Sequence, residues 1–153
     1  MDPHQVTTRS YTTPWHSTPT LGVWRVFPQV FVRDVTSSVT WYCGVLGCDL
    51  DYAYGSPPFY AQLSRAGIVF NLRRSSIAPW HPSPLDQDLL AMRIEVDDVT
   101  ALYGELRNRD VHVHQALRRE PWGQQTFIVA DPDSNLLSFG SHVPDQSTSK
   151  EIR

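Results

Sequence analysis

The sequence predicts an α+β fold of two tandem βαβββ modules, and three observations carry that reading. The order strand, helix, three strands is written twice along the chain. The triplet Asp34-Val35-Thr36 returns 64 residues later as Asp98-Val99-Thr100, each time where a strand gives way to a helix. Between the copies, SSIAPWHPSPLDQD (75–88) breaks the periodicity with Pro and Ser, as an inter-module linker does.

In VFVRDV (30–35), Val30 and Val32 alternate with Phe31 and Arg33, the two-residue period of a half-buried strand. Thr36 offers a cap for the helix that follows, in which Val35, Val39, Tyr42 and Leu46 recur at three-to-four spacing until Gly47 ends it. CDLDYAY, FYAQLS and IVFNLR then read as strands separated by GSPP and RAG. In the second copy, AMRIEV alternates Met92, Ile94 and Val96 with Ala91, Arg93 and Glu95, and its helix carries Val99, Leu102, Tyr103 and Leu106. VHVHQ, TFIVA and NLLSF supply the remaining strands. The modules thus occupy 26–74 and 89–140 inside one domain at 25–141. Residues 1–24 and 142–153 lack such patterning and read as flexible tails, with too little apolar surface to offset the entropy of ordering.

Composition narrows the function. A chain of 153 residues, 41% hydrophobic, suits a single domain with one core. A formal charge of −3 lacks the basic excess of a nucleic-acid binder. No segment approaches the roughly 20 apolar residues of a bilayer span, and the N-terminus has no signal-peptide core. Cys43 and Cys48 have the spacing of neither a zinc knuckle nor a disulfide framework, so the expectation is a cytoplasmic protein with free thiols. A Gly-rich phosphate loop and a Gly-x-Ser-x-Gly elbow are missing, and Cys43, beside Tyr42 on a helix, reads as packing.

Three blocks, VFVRDVTSSVTWYCGVLGCDL, EVDDVTALYGELRNRDV and EPWGQQTFIVADPDSNLLSFG, resemble the vicinal-oxygen-chelate superfamily, also called the glyoxalase/bleomycin-resistance/dioxygenase superfamily, over about residues 26–140. The last block, with Glu120-Pro121-Trp122-Gly123 ahead of Asp131-Pro132-Asp133, is most similar to the bleomycin-resistance branch. The resemblance implies that the modules curl into a cupped mixed sheet with the helices outside. It also implies a homodimer that sequesters a drug in grooves at the subunit interface, and so confers antibiotic resistance. Two positions depart from the pattern: Ser134 stands where the turn usually has Gly, and Asp110 where the helix exit usually has Gly. Both are expected to be tolerated as left-handed residues.

Strand parity then assigns side chains to the cup. Phe27, Gln29, Phe31 and Arg33 face it from the first strand, Val69, Asn71 and Arg73 from IVFNLR, Ala91, Arg93 and Glu95 from AMRIEV, and Leu136 and Ser138 from NLLSF. Metal-dependent members of the superfamily carry His, Gln or Glu at one inward position on each of four strands, and the matching positions here are Phe27, a residue near Asn71, Ala91 and Ser138. Phe and Ala offer no donor to a divalent ion, so no metal and no cofactor is expected. His112 and His114, which alternate on one strand, and Glu95 are the residues from which a metal site would otherwise start, with His16 or His81 as further donors. The histidine pair reads first as solvated surface, and Glu95 as a groove wall or ion-pair partner of Arg93.

The expected ligand site is therefore aromatic and polar: Phe27, Phe31 and Trp122 supply flat faces, and Gln29, Asn71, Arg93, Glu95 and Ser138 supply directed hydrogen bonds. Tyr52, Tyr54, Phe59 and Tyr60 straddle GSPP as a candidate groove rim, and Trp80 in the linker as a candidate cover. This mix suits an aromatic or heteroatom-rich small molecule, bound without chemistry. The alternative is an enzyme on the same scaffold. A metal-free isomerase, lyase or cyclase would use Glu95 as general base and Arg93 to stabilise an oxyanion, while a metal-dependent lyase, dioxygenase or transferase would require a different ligand assignment.

Overall fold

Both helices begin on an aspartate. Asp34 and Asp98 have extended backbones, and their carboxylates accept the backbone N–H three residues on, from Ser37 at 2.7 Å and Ala101 at 2.9 Å. Each satisfies a donor that the first helical turn leaves orphaned. The cap of the first helix is thus Asp34 and not Thr36, which lies inside the helix. The computed structural model describes residues 25–77 and 89–142. Within them the order is β1 (Gln29–Val32), α1 (Val35–Leu46), β2 (Asp49–Gly55), β3 (Pro58–Arg65) and β4 (Ile68–Arg74), then β5 (Leu90–Glu95), α2 (Val99–Leu106), β6 (His112–Arg119), β7 (Gln124–Ala130) and β8 (Leu136–His142). The tails at 1–24 and 143–153, most of the linker, and with them His16, Trp80 and His81, lie outside the described residues.

Each module folds its strands into a mixed four-stranded sheet, ordered β1-β4-β3-β2 in the first and β5-β8-β7-β6 in the second. The first and last strands of each module pair in parallel, and the other neighbours are antiparallel. The tandem βαβββ architecture is therefore present. A helix covers one face of each sheet and leaves the other open. Val30, Val32, Phe70, Leu72, Ala61 and Leu63 of the first sheet and Met92, Phe127, Val129, Leu137 and Phe139 of the second join the helical residues Tyr42, Leu46, Val99 and Leu106 in one shared core. Phe127 stacks on Phe139 at 5.2 Å and meets Tyr103 at 5.1 Å. Gly47 ends α1 with a left-handed backbone.

Three local expectations shift. α2 stops at Leu106, capped by Arg107 in a right-handed conformation, so Asp110 does not serve as a left-handed exit. Among the described residues the left-handed non-glycine ones are Ala66 and Ser134, the second as its place in the turn requires. β6 runs on to Arg119, with register irregularities after Val113 and after Gln115 that a propensity reading does not reveal.

The two modules are tied together by the β7–β8 turn, residues 131–135. The buried carboxylate of Asp131 accepts four hydrogen bonds: from the backbone N–H groups of Asp133 and Asn135 at 2.8 Å each, from the Asn135 amide at 2.8 Å, and from the Tyr42 hydroxyl of α1 at 2.9 Å. Asn135 also donates to the Phe31 carbonyl of β1, and Asp133 pairs with Arg33 at 2.6 Å. Arg33, expected in the cup, is instead committed to this junction. Burial pushes the Asp131 carboxyl up and its four donors oppose the rise; burial pushes the Tyr42 hydroxyl well above its ordinary range, followed by its proximity to Asp131.

Tyr42→Phe removes one donor from a buried acceptor and is expected to cost about 1–3 kcal/mol, read as a lower urea midpoint with an unchanged slope. Asp34→Ala and Asp98→Ala are each expected to cost about 1 kcal/mol, and the double variant their sum, because the caps share no partner.

Candidate functional site

The open face of the first sheet is built by the residues that alternate with its core. Gln29 and Phe31 interleave with Val30 and Val32, and Gln29 stands opposite Asn71, which in turn stands opposite Gln62 of β3. Asn71 is only 5% exposed, and its amide oxygen has no hydrogen-bond partner. Beside it Asp51 accepts from Ser64 at 2.7 Å and from Gln62 at 3.1 Å, while the Tyr52 hydroxyl donates to Gln62 at 3.2 Å. Tyr52 stacks on Tyr60 across the hairpin at 6.1 Å. Phe27 precedes β1 and is half exposed, as is Phe31.

On the second sheet Arg93 is the register partner of Ser138, and Glu95 that of Gly140. The Arg93 guanidinium does not run along the strand to Glu95. It donates to the side-chain oxygen of Gln124 on β7, and the Trp122 indole N–H donates to the same oxygen at 3.1 Å. The amide nitrogen of Gln124 lies 3.3 Å from Nε2 of His142. One alternation along β7, the Thr126 hydroxyl donates to Glu120 at 2.6 Å, Arg118 reaches the same carboxylate oxygen at 2.9 Å, and Gln115 donates to Thr126 at 3.3 Å. The Thr126 hydroxyl first, then Arg118, holds the Glu120 carboxyl below its ordinary range. A Cβ at Gly140 would sit 3.2 Å from the Thr126 methyl and 3.7 Å from the Arg93 guanidinium, so glycine there keeps the face open.

The predicted residues therefore fall into two groups. Gln29 and Asn71 meet on the first sheet, with Phe31 beside Gln29. Arg93, Ser138 and Trp122 gather on the second, where Glu95 is exposed. Gln29 and Phe31 line a cleft of about 180 Å³ with Leu90, Ala91 and Leu136. Arg93 and Glu95 line one of about 460 Å³ with Val26, Ile68 and Met92. Sequence reasoning missed Gln115, Glu120, Gln124, Thr126 and His142 as site groups. Extending the alternation of Phe127 and Val129 back to Gln124 would have found Gln124 and Thr126.

Of the four strand positions matched above to metal ligands, Phe27 and Ala91 have no donor atom, Ser138 is a lone hydroxyl beside Arg93, and Asn71 offers one amide oxygen, a set poor in donors for a divalent cation. Among the described residues no three His, Cys, Asp or Glu side chains converge. His112 and His114 are both exposed, and the register shift after Val113 means that strand parity alone does not fix whether they point the same way.

Two tandem βαβββ modules, each sheet with a helix on one face, define a family of proteins built on one duplicated scaffold. The chain belongs to the Glyoxalase/Bleomycin resistance protein/Dioxygenase superfamily, whose family model matches residues 25–139. It is 27% identical over 128 residues to the bleomycin resistance protein of Geobacillus stearothermophilus, an alignment covering 76% of this chain and 95% of that one. Bleomycin resistance proteins of Staphylococcus aureus match to the same extent. The fold is that of TioX from Micromonospora sp. ML1 (21% identity, TM-score 0.63, covering 79% of this chain and 100% of that chain). It is also that of the bleomycin-binding protein from bleomycin-producing Streptomyces verticillus, solved with copper(II)-bleomycin (22% identity, TM-score 0.62, 80% and 99% covered).

Because the folded state lowers the Glu120 pKa, its contribution to stability is full above the ordinary carboxylate value of about 4.3 and is lost as pH falls through the lowered value. The stability difference between the natural chain and Glu120→Gln is expected to be largest near pH 7 and to close in strong acid, as measured by urea unfolding across that range.

Proposed function

We propose that this protein binds and sequesters an aromatic, heteroatom-rich drug or natural product of the bleomycin type, protecting its host without making or breaking a bond. The observation that carries this is the match to bleomycin resistance proteins across nearly their whole length. The two open faces supply matching chemistry: the Tyr52–Tyr60 stack, Phe27 and Phe31 on one, and Trp122 with Arg93 and Ser138 on the other. Stacking and directed hydrogen bonds suit a planar ligand.

The protein acts as a homodimer in this reading. Each face is half of a groove, and Val26, Phe27, Phe31, Leu89 and Leu90 leave apolar surface uncovered in a single chain. A cytoplasmic location suits Cys43 and Cys48, which form no disulfide. Burial pushes both thiols up, Cys48 to about 11, away from the reactive thiolate form. No described helix is long and apolar enough to cross a membrane.

Calorimetry with metal-free and copper-loaded bleomycin is expected to show saturable binding, with the drug recovered at unchanged mass. Trp122→Ala is expected to weaken it about 30-fold or more, the effect of a hot-spot aromatic. Absence of heat with bleomycin and with other planar natural products, or a changed ligand mass, overturns the proposal.

A further inference from the structure

The joint that fastens the β7–β8 turn to the first module has a counterpart across the repeat. In the fastened joint, Asn135 donates to the Phe31 carbonyl, Asp133 pairs with Arg33, and Asp131 takes the Tyr42 hydroxyl. The shift of 64 residues that relates the two helix starts carries those three receiving residues to Glu95, Asp97 and Leu106. The segment that faces them from the first module is the β3–β4 turn. It has only Ala66 and Gly67 between its strands, where the β7–β8 turn has five residues, 131–135. Leu106 has no hydroxyl to offer and is packed into the core.

The shorter turn leaves its seat open. Between Arg65, Ala66 and Ile68 on one side and the start of α2 on the other lies a cleft of about 430 Å³. That is the size of pockets that hold small molecules. Its floor is apolar, made by Ile94, Val96, Leu102 and Phe139 with Ile68. Its rim is acidic, made by Glu95, Asp97 and Glu105. The lining does not balance that charge. Arg65, its one cation, donates to the Leu46 carbonyl at the end of α1, and Glu105 is already paired with Arg109. Glu95 and Asp97 make no ion pair among the described residues. The positive end of α2, which borders the cleft through Ala101 and Leu102, already has a negative charge in its own cap, Asp98. The polarity is thus the reverse of the fastened joint: Asp97 stands where Arg33 receives the carboxylate of Asp133.

We propose that this cleft is a second small-molecule site, and that it takes amphipathic cations: molecules with an aromatic or aliphatic body and one ammonium or guanidinium group. The body lies on the floor of Ile94 and Leu102, and the cation meets Glu95 and Asp97. Arg93, Trp122 and Ser138, which carry the sequestration reading, do not line this cleft, so the two proposals stand or fall separately.

The test uses the full chain and tryptamine, whose indole and ammonium match the two parts of the cleft, with tryptophol as the uncharged analogue and indolepropionate as the anionic one. Proton–nitrogen spectra at low ionic strength are expected to show saturable shifts with tryptamine, centred on the backbone N–H groups of Ala66, Gly67, Ala101 and Leu102. Tryptophol is expected to bind about fivefold more weakly or less, and indolepropionate more weakly still. In the double variant Glu95→Gln with Asp97→Asn, the advantage of tryptamine over tryptophol is expected to vanish while tryptophol binds as before. Ala101→Trp, a substitution at an exposed position on the cleft wall, is expected to abolish binding of all three at an unchanged urea midpoint. Shifts that spread over the acidic surface without saturating, equal affinities for the three probes, or a tryptamine preference that survives the double variant overturn the proposal. So does sedimentation in which Ala101→Trp turns a natural dimer into a monomer, because the cleft is then the seat of a second copy of the chain.

Discussion

The fold depends on a carboxylate removed from water. Asp131 sits beneath the β7–β8 turn, and leaving it charged there without partners would cost several kcal/mol. It is tolerated because four donors converge on its two oxygens. Two of them are the turn's own backbone, so the carboxylate fixes the loop that carries it. The third, Asn135, bridges onward to β1, and the fourth, Tyr42, belongs to the opposite module. Losing one donor degrades the setting of the others, which couples the closure of the turn to the docking of the modules. The shared apolar core supplies adhesion without direction. The Asp131 network supplies the orientation that places β1 and β5 beside the same cleft.

The second open face follows the same logic one layer out. Glu120 and the Gln124 oxygen are acceptors approached by two donors each, and both lie on or beside β7, the strand whose other face packs against α2. A rigid strand thus presents groups already held at fixed angles. In the proposed binding mode, a ligand stacking on Trp122 would meet an indole whose N–H is engaged, so that less rotational freedom is lost on binding. The first face is less constrained: its tyrosines are half exposed, and Asn71 keeps an unanswered oxygen.

Much of this architecture was legible in the sequence because it is written in local chemistry. Alternation placed Val30 and Val32 in the core, the repeated Asp-Val-Thr triplet marked both helix starts, and Gly47 marked an exit. The cap was assigned two residues late because Asp34 and Thr36 are both competent, and only the extended backbone of Asp34 decides between them. The site was less legible. Arg33 had the parity of a groove residue, but an aspartate 100 positions away claimed it. Arg93 had an obvious partner two residues on, yet a glutamine on another strand took that role. In β6 the register shifts after Val113, so strand parity alone no longer fixes which way His114 points: parity holds only while the ladder is regular.

The two halves of the repeat differ in the turn before their last strand. In the second module five residues, 131–135, are occupied in joining the halves. In the first, Ala66 and Gly67 suffice: they turn the chain through left-handed backbone, and both border clefts. One copy of this turn is a fastening, so changes within 131–135 act on the joint between the halves; the Ala66-Gly67 end can be lengthened without removing any of the hydrogen bonds that Asp131 and Asn135 make there.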